Sequence, residues 1–157
     1  MKQKTWTTYT VWILMTEAVG GLSGWLTRDG TAIFSETVRQ PPLSPPGWVF
    51  PIAWGILYAL MGIGMARISL TPPSIQRTKA RTLYWVQLAV NFLWSPIFFG
   101  LQAYVLAFLW LVLLWVLVLI MIRAFRKLDP LAANLQIPYQ LWLTFAAYLS
   151  FGVWILN

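Results

Sequence analysis

Apolar runs long enough to cross a bilayer recur five times along this chain, over residues 6–26, 45–70, 82–99, 104–122 and 131–156. A spanning helix needs about 20 consecutive apolar residues. Lipid offers the backbone no hydrogen-bond partner, so such runs must satisfy their own N–H and C=O groups as helices. Only 10% of the residues are charged, against about 25% in a soluble domain. The expected architecture is therefore an all-α integral membrane protein: one domain over residues 1–157, built as a five-transmembrane-helix bundle. The polar stretch 27–44 is the longest connection and reads as a loop; loops of that length in compact folds often act as lids.

Charge sets the expected orientation. Lys2, Lys4, Arg67, Arg77, Lys79, Arg81, Arg123, Arg126 and Lys127 fall on one side of a five-span topology, and only Arg28 and Arg39 on the other. Basic residues are retained on the cytoplasmic side. The N-terminus is expected inside, with the 27–44 loop and the C-terminus outside. The net charge of +7 is thus a topology signal, and no nucleic-acid partner is expected.

The chain has no cysteine and no histidine. Disulfides, thiolate chemistry and the usual general base are excluded. Candidate functional residues are therefore aromatic and neutral-polar. Phe50, Trp54 and Tyr58 recur every four residues, hence on one helix face. They follow a proline-rich entry whose Ser44-Pro45 pair reads as a helix start. The face suits either the wall of a lidded site or plain helix packing. Gln87, Asn91 and Ser95 form a polar line through the third run, directed to the bundle interior as interhelical glue or as anchors in a pocket. Pro96 then kinks the last turn. In the fifth run Pro138, Trp142, Ala146 and Ser150 are four apart, leaving a groove beneath an indole or simply a packing face. The fourth run lacks a polar stripe and is expected to face lipid over much of its surface. Glu17 stands alone in the first run, as a functional candidate or a protonated or hydrogen-bonded structural carboxyl. Gly20/Gly24 and the stripe Gly55, Ala59, Gly62, Ala66 offer places where helices approach closely.

Three blocks carry a resemblance: SPPGWVFPIAWGILYALM (44–61), VQLAVNFLWSPIFFG (86–100) and IPYQLWLTFAAYLSFGVWILN (137–157). With five spans and eleven tryptophans in 157 residues, the chain resembles the TspO/MBR family of tryptophan-rich sensory proteins and translocator proteins. The resemblance implies a multi-pass protein, here of a bacterial cell membrane, usually a homodimer, with a pocket below the first loop. It implies protoporphyrin IX-like tetrapyrroles and benzodiazepine-type hydrophobic molecules as ligands, the bilayer as surroundings and no required cofactor. Its ligand-binding residues would be Phe50, Trp54, Tyr58, Asn91, Ser95, Trp142, Ala146 and Ser150, with Pro45, Pro46 and Gly47 as the rim. Sensing, transport and light- and oxygen-dependent porphyrin degradation remain as function classes. No firm catalytic residue follows; degradation would run through Trp54 and Trp142. Leu43 and the Phe34-Ser35 pair depart from the family's more aromatic pattern, which implies a weaker lid grip. Leu143 and Tyr148 are followed by no basic residue, so the sterol-contact pattern is incomplete.

Overall fold

A computed structural model describes residues 2–157. Every regular element among them is helical: α1 (Lys2–Leu26), α2 (Arg28–Thr37), α3 (Val49–Ser69), α4 (Ile75–Ser95), α5 (Tyr104–Arg126), α6 (Pro130–Asn134) and α7 (Ile137–Leu156). A π-helical turn, Pro96–Gly100, prolongs α4. Four helical segments are long and apolar enough to cross a membrane: Val49–Ser69, Ile75–Gly100, Tyr104–Arg126 and Pro130–Leu156. α1 has the length, at 25 residues, but not the composition. Its threonines, Glu17 and the lysines at its start dilute the apolar run, so the expectation of five spans stands at four by composition.

The helix boundaries show where turn chemistry overrides the hydropathy pattern. α3 starts at Val49, not Pro45, because residue 44 does not cap it. The Ser44 hydroxyl donates to the Pro41 carbonyl (2.7 Å), and Leu43 adopts φ 68°; together they make a tight turn within a strap, residues 38–48. α4 starts at Ile75, ahead of its apolar run, since Ser74 caps it by accepting from the Arg77 N–H (3.0 Å). The basic residues 77–81 therefore lie on helix rather than in a loop. At Pro96 the chain does not merely bend. The Leu101 N–H reaches the Pro96 carbonyl (2.9 Å), the five-residue spacing of a π turn.

The largest correction concerns 27–44, which contains the ten-residue helix α2 instead of a loop. Phe34 faces inward from it, packing on Phe98 and Phe99 (ring centroids 5.3 Å for both). Gly30 lies so close to the π turn that a Cβ there would sit 2.5 Å from the Phe99 carbonyl oxygen. Only Gly30 and Phe34 of this helix are partly buried and its polar residues are exposed, which is why hydropathy alone hides the helix.

α1 and α3 pack lengthwise; at Gly62 a Cβ would meet the Ile13 Cα at 2.6 Å. α4 packs on α5, and α5 on α7. α5 faces outward over much of its surface, as expected, with Val105, Leu106, Leu109, Val112, Leu113, Val116 and Ile120 exposed, but Ala107, Leu111, Leu114, Val118, Met121 and Phe125 on its other face are buried. Trp110 donates to the Val90 carbonyl (2.8 Å) and Trp115 to the Thr144 hydroxyl (2.9 Å). A helix apolar all round is one that meets both core and lipid. α3 and α7, by contrast, stand further apart and are bridged by rings.

Candidate functional site: an aromatic cavity beneath α2

Glu17, Gly20, Gly21 and Gly24 share one face of α1 by their three- and four-residue spacing. With three glycines the face is nearly without side chains. The Tyr58 ring lies directly on Gly20, where any Cβ would collide with it, whereas a Cβ at Gly21 or Gly24 would meet nothing within 4 Å. Between this face, α3, α4 and α7 lies a cavity of about 800 Å³.

α3 supplies Phe50, Trp54 and Tyr58 to its wall, α4 supplies Asn91 and Ser95, and α7 supplies Trp142, Ala146 and Ser150. Pro45, Pro46 and Gly47 line it from the strap. Every ligand-binding residue that the family resemblance implied thus borders the same space. Trp54 stacks on Tyr58 (5.4 Å, 27°) and meets Trp142 edge-to-face (6.3 Å, 83°). Phe50 braces Trp142 from the other side (5.9 Å, 73°). Locked rings form a preformed wall, because moving one requires moving its neighbours.

Below the rings a buried polar relay closes the base. The Tyr58 hydroxyl donates to Asn91 Oδ1 (2.7 Å), and Asn91 Nδ2 donates to the Tyr139 hydroxyl (2.7 Å). Tyr139 in turn donates to Gln87 Oε1 (2.8 Å). The polar line on α4 therefore divides its work. Gln87 is fully buried, away from the cavity, and ties helices together. Asn91 does both, bordering the cavity while holding two tyrosines. An amide has two donors and two acceptor lone pairs, so Asn91 keeps one N–H and one lone pair beyond those bonds. Ser150 Oγ and Trp94 Nε1, on two other lining residues, are buried with no hydrogen-bond partner among the described residues.

The roof is α2 and the strap. The strap is tied to α7 at three points. Tyr148 donates to the Pro42 carbonyl (2.7 Å), Pro41 seats on Gly152, and the Asn157 amide bonds both the N–H and the C=O of Arg39 (3.0 and 2.8 Å). Arg39 thus serves the strap, while Arg28 borders the cavity. Its guanidinium lies 4.5 Å over the Trp25 ring and donates to the Trp25 carbonyl (2.7 Å). The wall thus combines flat aromatic faces with a few neutral polar groups and one cation. Among the described residues no group of His, Cys, Asp and Glu is placed to hold a metal ion.

A family model, the TspO/MBR family, matches residues 12–155, and so takes in the whole cavity. The chain belongs to the TspO/MBR family. Similar relatives include Protein CrtK of Rhodobacter capsulatus, 42% identical over 132 residues (80% of this chain, 82% of that protein). Tryptophan-rich protein TspO of Chlorobaculum tepidum is 33% identical over 141 residues, 89% of each chain. The Translocator protein of Ovis aries is 38% identical over 120 residues (75% and 71%).

Sequence reasoning missed part of the wall of this TspO/MBR chain. Trp94, Phe98 and Phe99 border the cavity from α4 and the π turn, and Thr31 and Phe34 border it from α2. Trp94 and Phe98 stack (4.9 Å, 24°); their four-residue spacing was a readable signal, obscured by the break expected at Pro96. On α2 the resemblance marked Phe34 as a lid position but not as wall, and Thr31 left no signal, since the helix is short and mostly polar.

Proposed function

We propose that this chain is a five-span membrane receptor that takes flat, hydrophobic molecules, tetrapyrroles of the protoporphyrin IX kind foremost, into the aromatic cavity. Benzodiazepine-type ligands fit the same reading. The carrying observation is the cavity of about 800 Å³ walled by Trp54, Tyr58 and Trp142 with Asn91 at its base. Ligand sites are commonly clefts of about 300–1,000 Å³, apolar with a few placed polar groups. The names of relatives, tryptophan-rich sensory and translocator proteins, support a sensing or carrying role. α1 is the fifth span in this reading, because its contact with α3 runs from Gly62 beside Ile13 to Tyr58 beside Gly20, well into the bundle. A homodimer belongs to the proposal too, with its interface away from Gly20 and Gly62, which pack within the chain.

A second reading is supported by the edge-to-face pair Trp54 and Trp142 at the cavity wall. Two neighbouring indoles can take part in light- and oxygen-dependent breakdown of a bound porphyrin without any acid–base residue. Titrating the purified protein in detergent with protoporphyrin IX, in darkness and under illumination, tests both. The receptor reading expects saturable tryptophan quenching at one porphyrin per chain and unchanged porphyrin recovered in either condition. Open-chain products formed only in the light, and only with the protein present, favour the second reading. Absence of saturable quenching sinks both.

A further inference from the structure

Glu17 borders the cavity from the bare face of α1, three residues before the glycine on which Tyr58 rests. It lies nine residues, about 14 Å of helix rise, from the end of α1 at Leu26. Among the described residues it takes part in no hydrogen bond or ion pair; the ion pair found there joins Arg67 and Asp129. Arg28, the basic residue on the cavity lining, stands beyond Leu26 at the roof and is engaged with Trp25. The two ends of the cavity therefore differ: a cation at its mouth and, deeper, a carboxyl group that the protein leaves without a counter-charge. A carboxylate at membrane depth is costly and pairs with whatever donor is at hand. Asn91, the amide at the base, directs its bonds to Tyr58 and Tyr139 and makes none to Glu17.

We propose that Glu17 makes the inner part of the cavity a subsite for a nitrogen donor, so that, of two flat hydrophobic molecules of the same shape, the one bearing a protonated amine or exposed N–H at its inner end binds more tightly. This rests on the cavity being the ligand site. Apolar walls strengthen a charge-assisted N⁺–H···O⁻ bond relative to water. The same carboxylate repels a ligand carboxylate placed at that depth, which leaves the mouth, beside Arg28, as the place for anionic groups. Glu17 thus sets which way round an amphipathic ligand enters.

Two fluorescent probes of the same shape separate charge from fit: 1-pyrenemethylamine, an ammonium at neutral pH, and 1-pyrenemethanol. Energy transfer from the cavity tryptophans to pyrene reports occupancy in a non-ionic detergent. The wild-type protein is expected to bind the amine about tenfold more tightly than the alcohol, the scale of one charge-assisted contact. In Glu17→Gln the amine should weaken to the level of the alcohol, while the alcohol's affinity stays within twofold. Glu17→Asp, which withdraws the carboxylate by one methylene, should keep part of the preference; it carries the test if the Gln protein does not fold. A preference unchanged in both variants, or none in the wild-type protein, overturns the role of Glu17. Equal, saturable binding of both probes overturns only that role, whereas no saturable transfer from either probe also removes the cavity as the ligand site.

Discussion

Asn91 joins the two halves of the site through one side chain. Replacing it with Leu keeps the volume but strips the Tyr58 hydroxyl of its acceptor, while Tyr139 still donates to Gln87. An orphaned buried hydroxyl costs about 1–3 kcal/mol. Asn91→Leu is therefore expected to lower the thermal unfolding midpoint in detergent. Adding Tyr58→Phe, which removes the orphan, should recover part of the loss. Strictly additive losses in the two single and one double variants would show that the two side chains are not coupled. At this scale much was legible: four-residue spacing placed Trp54, Tyr58, Asn91 and Trp142 on faces that the fold turns toward one space. Spacing could not assign Gln87, because a helix face says nothing of depth; Tyr139, which consumes its amide oxygen, lies on another helix. Nor could it show that Arg28 borders the cavity while Arg39 holds the strap, since the clip between Arg39 and Asn157 spans 118 residues.

Elements were legible where hydropathy speaks and hidden where local hydrogen bonds decide. The spans after the first were visible as apolar runs, but their ends were set by Ser74, by the turn at Pro41–Ser44 and by the five-residue bond after Pro96. α2 was unreadable because its burial rests on Phe34 and Gly30 alone, too few residues for a periodic signal. The junction of α5 and α6 makes a testable case of such local chemistry. Asp129 caps α6, its Oδ1 accepting from the Leu131 and Ala132 N–H groups (3.0 and 3.3 Å), and its Oδ2 accepts from Arg67 Nε on α3 (2.8 Å). Burial works to raise its pKa, but the Arg67 guanidinium and those N–H groups outweigh it and hold the carboxyl below its ordinary value of 3.8. With the folded-state pKa depressed, the stabilisation is complete above the ordinary value and is lost as pH falls through the lower, folded one. The unfolding midpoint of the wild-type protein should therefore drop below about pH 4, and Asp129→Asn should start lower at pH 7 and show a shallower acid loss. Identical pH profiles for the two would mean that this carboxylate contributes nothing to the acid dependence. The roof offers a second case. Asn157→Ala together with Tyr148→Phe removes three of the hydrogen bonds that tie the strap to α7. Amide exchange over residues 38–48 should then accelerate by at least about tenfold, while that of α5, whose buried face those bonds do not touch, stays unchanged. Unaltered exchange in the strap would show that Pro41 on Gly152 holds it unaided.

For the molecule as a whole, a five-span topology would divide the basic residues nine to two between its two sides. On the five-span reading proposed above, that division predicts Lys2 in the cytoplasm and the strap, cavity mouth and Asn157 outside. A reporter fused after Asn157 should be active only in the extracytoplasmic compartment, and cytoplasmic activity would refute this orientation. The central claim, however, is that the ring-walled cavity binds the ligand, and the tryptophans test it most directly. Loss of one indole from the wall removes stacking and buried area, for an expected cost of roughly 1.5–3 kcal/mol, about one to two decades in Kd. Trp6, 73% exposed near the start of α1, is the control. Titration of Trp54→Ala, Trp142→Ala and Trp6→Ala with protoporphyrin IX, each protein first shown to be folded by circular dichroism, should give a Kd raised about ten- to a hundredfold for the first two and unchanged for the third. Wild-type affinity in both Trp54→Ala and Trp142→Ala, or equal losses in all three, would contradict the account.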